Sequence, residues 1–415
     1  MFARVFTQRE NIVSCNLYKK YGYRVEKVKY FLSFLDLIMK IPFNKPYFTG
    51  KETDYIKQAV ETGKISGDGL FTKKCQHFFE TRYGFNKSLL TSSCTDALEM
   101  AAILCGIESG DEVIAPSFTF VSTVNAFVLR GAKIVFADSE ESTPNIDVAA
   151  IEPLINSKTK AIVPVHYAGV ACNMSGISDL ARIHNLLVVE DAAQAVDSYY
   201  KGKPLGSLGH MAAFSFHETK NVISGEGGML VVNDDKFSIR SEIIREKGTN
   251  RAAFFRGEVD KYGWVDIGSS FLPADIIAAF LYAQLEHIDD IQNRRKRIWN
   301  LYWNGLKILE TKGMLKLPHI PKYATNNGHM FYLVCKDLAQ RNRLIEHLKG
   351  QGIMAIFHYL SLHKSPFYEK RHDGRKLPNS DRYSDCLLRI PLYYELSDSD
   401  VEVIISSILS FYGHE

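Results

Sequence analysis

Between Ser88 and Asn233, short apolar runs rich in β-branched residues alternate with amphipathic stretches, and nothing else in the chain restricts its fold as strongly. The runs are SLLTS (88–92), EVIAP (112–116), AKIVFAD (132–138), KAIVPVH (160–166), LLVVED (186–191), AAFSF (212–216) and GMLVV (228–232). Near-continuous apolarity over a run of this length suits a strand buried on both faces, and such strands belong to parallel sheets covered by helices. Two of the intervening stretches, TDALEMAAILCG (95–106) and ISDLARIHN (177–185), repeat apolar residues at intervals of three and four, the spacing of a helix laid on a sheet. The alternation predicts an α/β fold whose large domain is built on a seven-stranded, mostly parallel sheet.

After Ala274 a long helical pattern, DIIAAFLYAQLEHIDDIQNRRKRIWNLYWNGL, runs to residue 306 and leads into a smaller α+β domain. There HMFYLVCK (329–336) and IMAIFHY (353–359) read as strands, RNRLIEHLKGQG as a helix ending at glycine, and DSDVEVIISSILSFYG as a closing helix. The expected division is 39–290 for the large domain and 291–415 for the small one, with 1–38 standing outside both. A chain of 415 residues, 46% hydrophobic and 23% charged, can bury its own core and is neither disordered nor fibrous. Its formal net charge of +3 gives no footprint for nucleic acid. The seven cysteines are scattered with no C-x-x-C pair, so neither a disulfide framework nor a metal site is expected, and a cytoplasmic setting is. YFLSFLDLIM (30–39) spans about half a bilayer and contains Asp36, so no membrane helix and no signal peptide are read there.

Three motifs carry chemistry. In TSSCTDALEM a strand ends at Thr91, and Ser93 with Asp96 makes a capping-box pattern opening a helix. The free N–H groups of that helix start, with the hydroxyls of Ser93 and Thr95, suit a phosphate, although a plain N-cap has the same pattern. LLVVEDAAQAV ends a strand in Glu190 and Asp191 at the edge where ligands of open α/β sheets bind. A carboxylate there either keeps a heteroaromatic nitrogen protonated or caps the next helix. In AAFSFHETKNVISGEGGMLVVN, Lys220 sits between two strands and is followed by Gly225, Gly227 and Gly228. A lysine so placed suits Schiff-base chemistry if burial lowers its pKa, and is otherwise a solvated surface group. Taken together, the three motifs supply the phosphate, ring-nitrogen and aldehyde contacts of pyridoxal 5'-phosphate.

The order and spacing resemble the DegT/DnrJ/EryC1/StrS sugar aminotransferases over residues 39 to about 413. The resemblance implies the fold-type I PLP-dependent architecture, a homodimer with active sites at the subunit interface, and L-glutamate as amino donor. It makes Lys220 the Schiff-base lysine and Asp191 the partner of the pyridinium nitrogen. It assigns Cys94 and Thr95 to the phosphate turn, Cys94 standing where many members have glycine. Ser215 becomes a further phosphate contact, Gln194 a contact to the ring hydroxyl, and Phe120 the ring stacked on the cofactor. One departure is Leu272, at a position where many members carry an asparagine that reaches the neighbouring subunit; Ser269 or Ser270 could replace that contact.

Three segments, REKGTNRAAFFRGEVDKYGWVDIGSS, PVHYAGVACNM and MAIFHYLSLHKSP, are similar to the branch of the family that makes dTDP-4-amino-4,6-dideoxygalactose for surface polysaccharide. This implies dTDP-4-dehydro-6-deoxyglucose as the nucleotide-sugar substrate. Arg251, Arg256 and Lys261 could then face a diphosphate, and His358 and His363 the sugar. Amination of a 3-keto sugar by the same machinery, or a non-catalytic member of the fold, are the alternatives. Lys220 argues against the dehydratase branch, which has histidine at that position, and no strand is followed by the G-x-G-x-x-G of a nicotinamide enzyme. The first 38 residues carry N-x5-L-Y-x3-G-Y (Asn11, Leu17, Tyr18, Gly22, Tyr23) and resemble the C-terminal tail of a GNAT-type N-acetyltransferase, acquired by fusion or by an early start.

Overall fold

The computed structural model describes residues 40–413, so the acetyltransferase-like tail and the whole 30–39 apolar stretch lie outside the described residues. Two helices open this part of the chain, α1 (Glu52–Glu61) and α2 (Leu70–Tyr83). The large layered unit follows as β1 (Lys87–Thr91), α3 (Cys94–Leu104), β2 (Glu112–Pro116), α4 (Ser122–Leu129), β3 (Lys133–Ala137), β4 (Thr159–Ile162), α5 (Met174–His184) and β5 (Leu187–Asp191). A small hairpin comes next, β6 (Tyr199–Tyr200) and β7 (Lys203–Pro204), then β8 (Met211–Ser215), β9 (Gly228–Val232), α6 (Ser238–Arg245) and the short α7 (Arg251–Phe255).

The seven expected strands form one sheet in the order β1-β9-β8-β5-β4-β2-β3. All its members run parallel except β9, which is antiparallel to both β1 and β8. Side chains alternate between two buried layers, as the pleat demands. Leu90, Ile114, Val188, Phe214 and Met229 pack with Phe71 and Phe79 of α2 and Ile177 of α5. Leu89, Val113, Val189, Ala213 and Leu230 pack with Leu98 of α3 and Phe127 of α4. The KAIVPVH run contributes a strand only to Ile162, because Pro164 lacks the N–H that a ladder needs; a single bridge, Val165 to Asp191, continues the pairing.

The remaining elements are α8 (Asp275–Leu285), α9 (Ile288–Thr311), β10 (Phe331–Val334), α10 (Leu338–Gly350), α11 (Pro378–Cys386), β11 (Leu387–Ile390) and α12 (Asp398–Gly413). The long helix expected over 275–306 is therefore two helices, broken at Glu286 and His287. The break lets α8 bury Ala278, Leu281 and Leu285 against α1 and α2, while α9 leaves with Asp289 and Asp290 in its own first turn. Ile288 and Ile291 at the start of α9 stay in the large core, but Ile298, Tyr302 and Leu306 belong to a separate core shared with Phe331, Leu344, Leu388 and Ile404.

The stretch 353–359 corrects a second expectation, since it forms no strand. It meets β11 only at the Ile356–Arg389 bridge, and the partner of β10 is instead Leu387–Ile390, paired antiparallel. Met354 and Phe357 are exposed, so the apolar run has no second face to bury.

Candidate active site

Because β9 runs against its neighbours, its first residue lies beside the last residues of two parallel strands: Gly228 pairs with Thr91 of β1 and with Ser215 of β8. A Cβ on Gly228 would sit 2.3 Å from the Ser93 carbonyl carbon and 2.4 Å from the Cys94 nitrogen. Glycine is what lets the turn after β1 rest against the sheet. In that turn Ser93 Oγ accepts from the Asp96 N–H at 3.0 Å, and Thr95 Oγ1 donates to Ser122 Oγ at 2.9 Å. The Cys94 and Thr95 N–H groups have no protein acceptor among the described residues, so the positive end of α3 is available to an anion.

On β5 the two adjacent carboxylates point to opposite faces. Glu190 accepts from Gly206, Leu208 and Gly209 N–H groups and lies 2.9 Å from His166 Nε2, all of it buried; this is a structural clasp. The Cys172 N–H donates to His166 Nδ1, which places the imidazole proton on Nε2, facing Glu190. Asp191, only 5% exposed, faces the α4 side. Its Oδ2 accepts from Thr123 Oγ1 at 2.6 Å and its Oδ1 from the Ala193 N–H at 3.1 Å, two neutral donors that fix its direction.

Lys220 lies in the loop between β8 and β9, pinned by Phe216 N–H to Gly227 O at 2.8 Å, Ser224 N–H to Phe216 O at 2.7 Å, and Lys220 N–H to His217 O at 2.9 Å. Burial pulls its ammonium below the ordinary lysine value, Cys94 and Asp191 oppose that, and the Arg389 cation adds to it. The Cys94 thiol is correspondingly pushed well up by burial and by Asp191, with Lys220 opposing. Thus Lys220, Asp191 and Cys94, brought from three separate motifs, share one electrostatic neighbourhood. Ser215, buried at the end of β8, lies beside it.

Gln194 Oε1 accepts from the Ala168 N–H at 2.6 Å. Phe120 is 53% exposed, with its ring 5.6 Å from that of Tyr359, an apolar face left open at the sheet edge. His358 is half-buried; its Nδ1 accepts from Arg389 at 3.0 Å, and burial, Arg389 and Lys220 push its pKa down to about 4, so the ring is neutral with its proton on Nε2.

Two groups of sequence-selected residues are not brought to Lys220 within one chain. His363 is buried, with Nδ1 2.7 Å from Ser117 Oγ and Nε2 3.5 Å from Asp381. Arg251 starts the exposed α7 and lies over the Phe255 ring, while Arg256 pairs with Glu258 and Glu242.

Several neighbours carry no signal in the sequence. Asn221 Nδ2 donates to Gln292 Oε1 at 2.7 Å and to Asn327 O at 2.9 Å, while its Oδ1 accepts from His329 Nδ1 at 2.8 Å. His329 is held neutral, far below the ordinary imidazole value, by burial and then by the Lys220, Arg389 and Arg295 cations. Apart from Asn221, which follows Lys220 in the loop between β8 and β9, these residues lie on α9, on the segment before β10 and on β11, in strings that read as ordinary core, so position in sequence does not mark them.

Residues 46–409 match the DegT/DnrJ/EryC1/StrS aminotransferase family. The chain belongs to that family. The spore coat polysaccharide biosynthesis protein SpsC of Bacillus subtilis is 32% identical over 377 residues, covering 89% of this chain and 96% of that protein. The GDP-perosamine synthase of Caulobacter vibrioides is 32% identical over 376 residues, covering 89% and 97%. The crystal structure of an aminotransferase from Psychrobacter cryohalolentis superposes with a TM-score of 0.85 at 26% identity, covering 90% and 99% of the two chains.

DegT/DnrJ/EryC1/StrS aminotransferases depend on pyridoxal phosphate, act on a sugar and an amino donor, and are typically dimeric. The residues present fit that cofactor: a helix start with free N–H groups, a buried carboxylate held by neutral donors, an exposed aromatic face and a lysine of lowered basicity. Among the described residues no group of three or more His, Cys, Asp or Glu could hold a metal, and no helix is long and apolar enough to cross a membrane.

Proposed function

We propose that this chain transfers the amino group of L-glutamate to the 4-keto carbon of dTDP-4-dehydro-6-deoxyglucose, giving dTDP-4-amino-4,6-dideoxygalactose and 2-oxoglutarate for surface polysaccharide synthesis in the cytoplasm. The observation that carries the aminotransferase part is the convergence of Lys220, Asp191 and the Cys94 turn around Gly228. The choice of sugar rests on the resemblance of residues 164–174, 245–270 and 354–366 to that branch.

Pyridoxal phosphate, when bound, supplies the electron sink and the carbon that carries nitrogen between donor and acceptor. The chain supplies the rest. The start of α3, with Thr95 and Ser215, holds the phosphate. Asp191 keeps the ring nitrogen protonated, Gln194 faces the ring hydroxyl and Phe120 covers one ring face. Lys220 Nζ takes the α-proton of glutamate and later delivers a proton to the sugar carbon. Burial and the Arg389 cation favour the free amine that these transfers require.

A GDP-linked keto sugar is the second reading, favoured by GDP-perosamine synthases 32% and 33% identical over nearly their whole length. The two are separated by loading the protein with pyridoxal phosphate, following loss of its visible absorbance band with L-glutamate, and testing which keto sugar restores it. Return of the band with the dTDP sugar and not the GDP sugar supports the first reading. A Lys220→Ala protein is expected to lose that band and about 10³-fold or more in turnover. The same band and turnover in that variant would remove Lys220 from the chemistry.

A further inference from the structure

Asp191 takes its direction from Thr123, and the string of hydrogen bonds that ends there begins far along the chain. Thr123 Oγ1 gives its proton to Asp191 Oδ2 at 2.6 Å, so in the 2.8 Å contact between the Thr119 and Thr123 hydroxyls the donor is Thr119. The Thr119 N–H donates to Ser117 O at 3.2 Å, in the loop that leaves β2. Ser117 is fully buried, and the turn Leu362–Lys364 holds it through three further hydrogen bonds. The Leu362 N–H donates to Ser117 O at 2.9 Å, the His363 N–H donates to Ser117 Oγ at 3.2 Å, and Ser117 Oγ lies 2.7 Å from His363 Nδ1. The Ser117 hydroxyl proton has no other acceptor among the described residues, and burial, opposed by Asp381, holds the His363 imidazole below its ordinary value. Ser117 therefore donates to Nδ1, and the ring proton sits on Nε2, 3.5 Å from Asp381 Oδ1, whose other oxygen pairs with Lys364 at 2.7 Å.

Resting on the aminotransferase reading, we propose that His363 is a positioning residue: acting through Ser117, Thr119 and Thr123, it sets the direction of Asp191 toward the ring nitrogen of the cofactor. Ser117, Thr119 and Thr123 are each at most 2% exposed, so no water stands ready to replace a lost partner. Without the acceptor at Nδ1, Ser117 has a buried proton to place elsewhere, and the loop can satisfy it only by shifting. Phe120 belongs to the same loop, so the anchor that directs the carboxylate also places the aromatic face. A small rotation of Asp191 is enough to matter, because its contact to the ring nitrogen depends on distance and direction together.

The test follows loss of the visible absorbance band with L-glutamate in the holoenzyme of His363→Leu, His363→Asn, Ser117→Ala and Thr123→Val. In His363→Leu and Ser117→Ala the limiting rate at saturating glutamate is expected to fall roughly 10- to 100-fold, the scale of a small misplacement of a reacting group, while the concentration giving half that rate changes little. His363→Asn, whose amide oxygen can take the place of Nδ1, should recover most of the rate. Combining His363→Leu with Thr123→Val gives the comparison that a merely structural role would not satisfy. Both cut one string, so the pair should be no slower than Thr123→Val alone, whereas independent defects multiply. Equilibrium dialysis of the cofactor-free protein against pyridoxal phosphate gives a readout without turnover: affinity about 10-fold weaker in His363→Leu and near the wild-type value in His363→Asn. If His363→Leu does not fold, Ser117→Ala paired with Thr123→Val makes the same comparison. An unchanged limiting rate, a loss confined to glutamate saturation, unchanged cofactor affinity, a multiplied loss in the double variant, or no recovery in His363→Asn would overturn the proposal while leaving the aminotransferase reading intact. A wild type that responds to no amino acid would remove both.

Discussion

At the scale of single residues, the site depends on an atom that is absent. The missing Cβ of Gly228 lets the Ser93–Cys94 peptide lie against the first residue of β9, which aligns the anion-binding turn with the lysine loop. In Gly228→Ala the new methyl meets backbone and cannot be relieved by a rotamer change. The expected cost is about 1–3 kcal/mol in stability, together with weaker retention of cofactor. Thermal melting with and without pyridoxal phosphate measures both, and an unaltered melting temperature would show that the turn yields. Residues of this kind were partly legible in the sequence. Lys220, Asp191 and Cys94 stand in local strings whose strand, cap and glycine pattern can be read in isolation. Arg389, His329 and Asn327 were not legible, because they reach the site by packing across the small sheet and α9, and nothing local to LLRI or NNGHM records where those segments go.

At the scale of elements, β5 shows how one strand serves structure and chemistry on its two faces. Glu190 is the structural side. Burial alone would raise its pKa, but the hydrogen bond from His166 and the Gly209 and Gly206 N–H groups outweigh it and hold the carboxyl below its ordinary 4.5. A carboxyl depressed on folding contributes stability above its unfolded value and loses it as the pH falls through the folded one. Unfolding midpoints should therefore drop with acid below pH 4.5. In Glu190→Gln the drop should be shallower, against a baseline about 1–3 kcal/mol lower because an amide cannot accept from every donor in the clasp. Urea titrations across that range decide it, and parallel curves for the two proteins would place the acid sensitivity elsewhere. The strands of this sheet were legible because burial on both faces writes an unbroken apolar run. The stretch 353–359 was misread for the same reason: its apolarity serves contacts of an irregular segment rather than a ladder.

At the scale of the whole molecule, the segment between Gly248 and Gly268 exposes more apolar surface than one chain in water explains. The two glycines close its base, a Cβ on Gly268 falling 2.2 Å from the Gly248 nitrogen, and between them Phe255, Tyr262, Trp264 and Val265 face solvent, Trp264 at 84%. A contiguous aromatic patch of this kind is ordinarily covered by a partner. Family members are typically dimeric, so a second copy of the chain is the expected cover. Arg251 lies over the Phe255 ring of the same patch, so a second copy seated there would carry it toward the neighbour's site. Trp264→Glu is therefore expected to shift the protein from dimer to monomer in sedimentation equilibrium and to lower turnover with the nucleotide sugar. Cofactor binding through Asp191 and Lys220 of the same chain should survive in part. If Trp264→Glu remained dimeric with full turnover, the patch would not be the subunit contact, and Arg251 would lose its route to a neighbouring site.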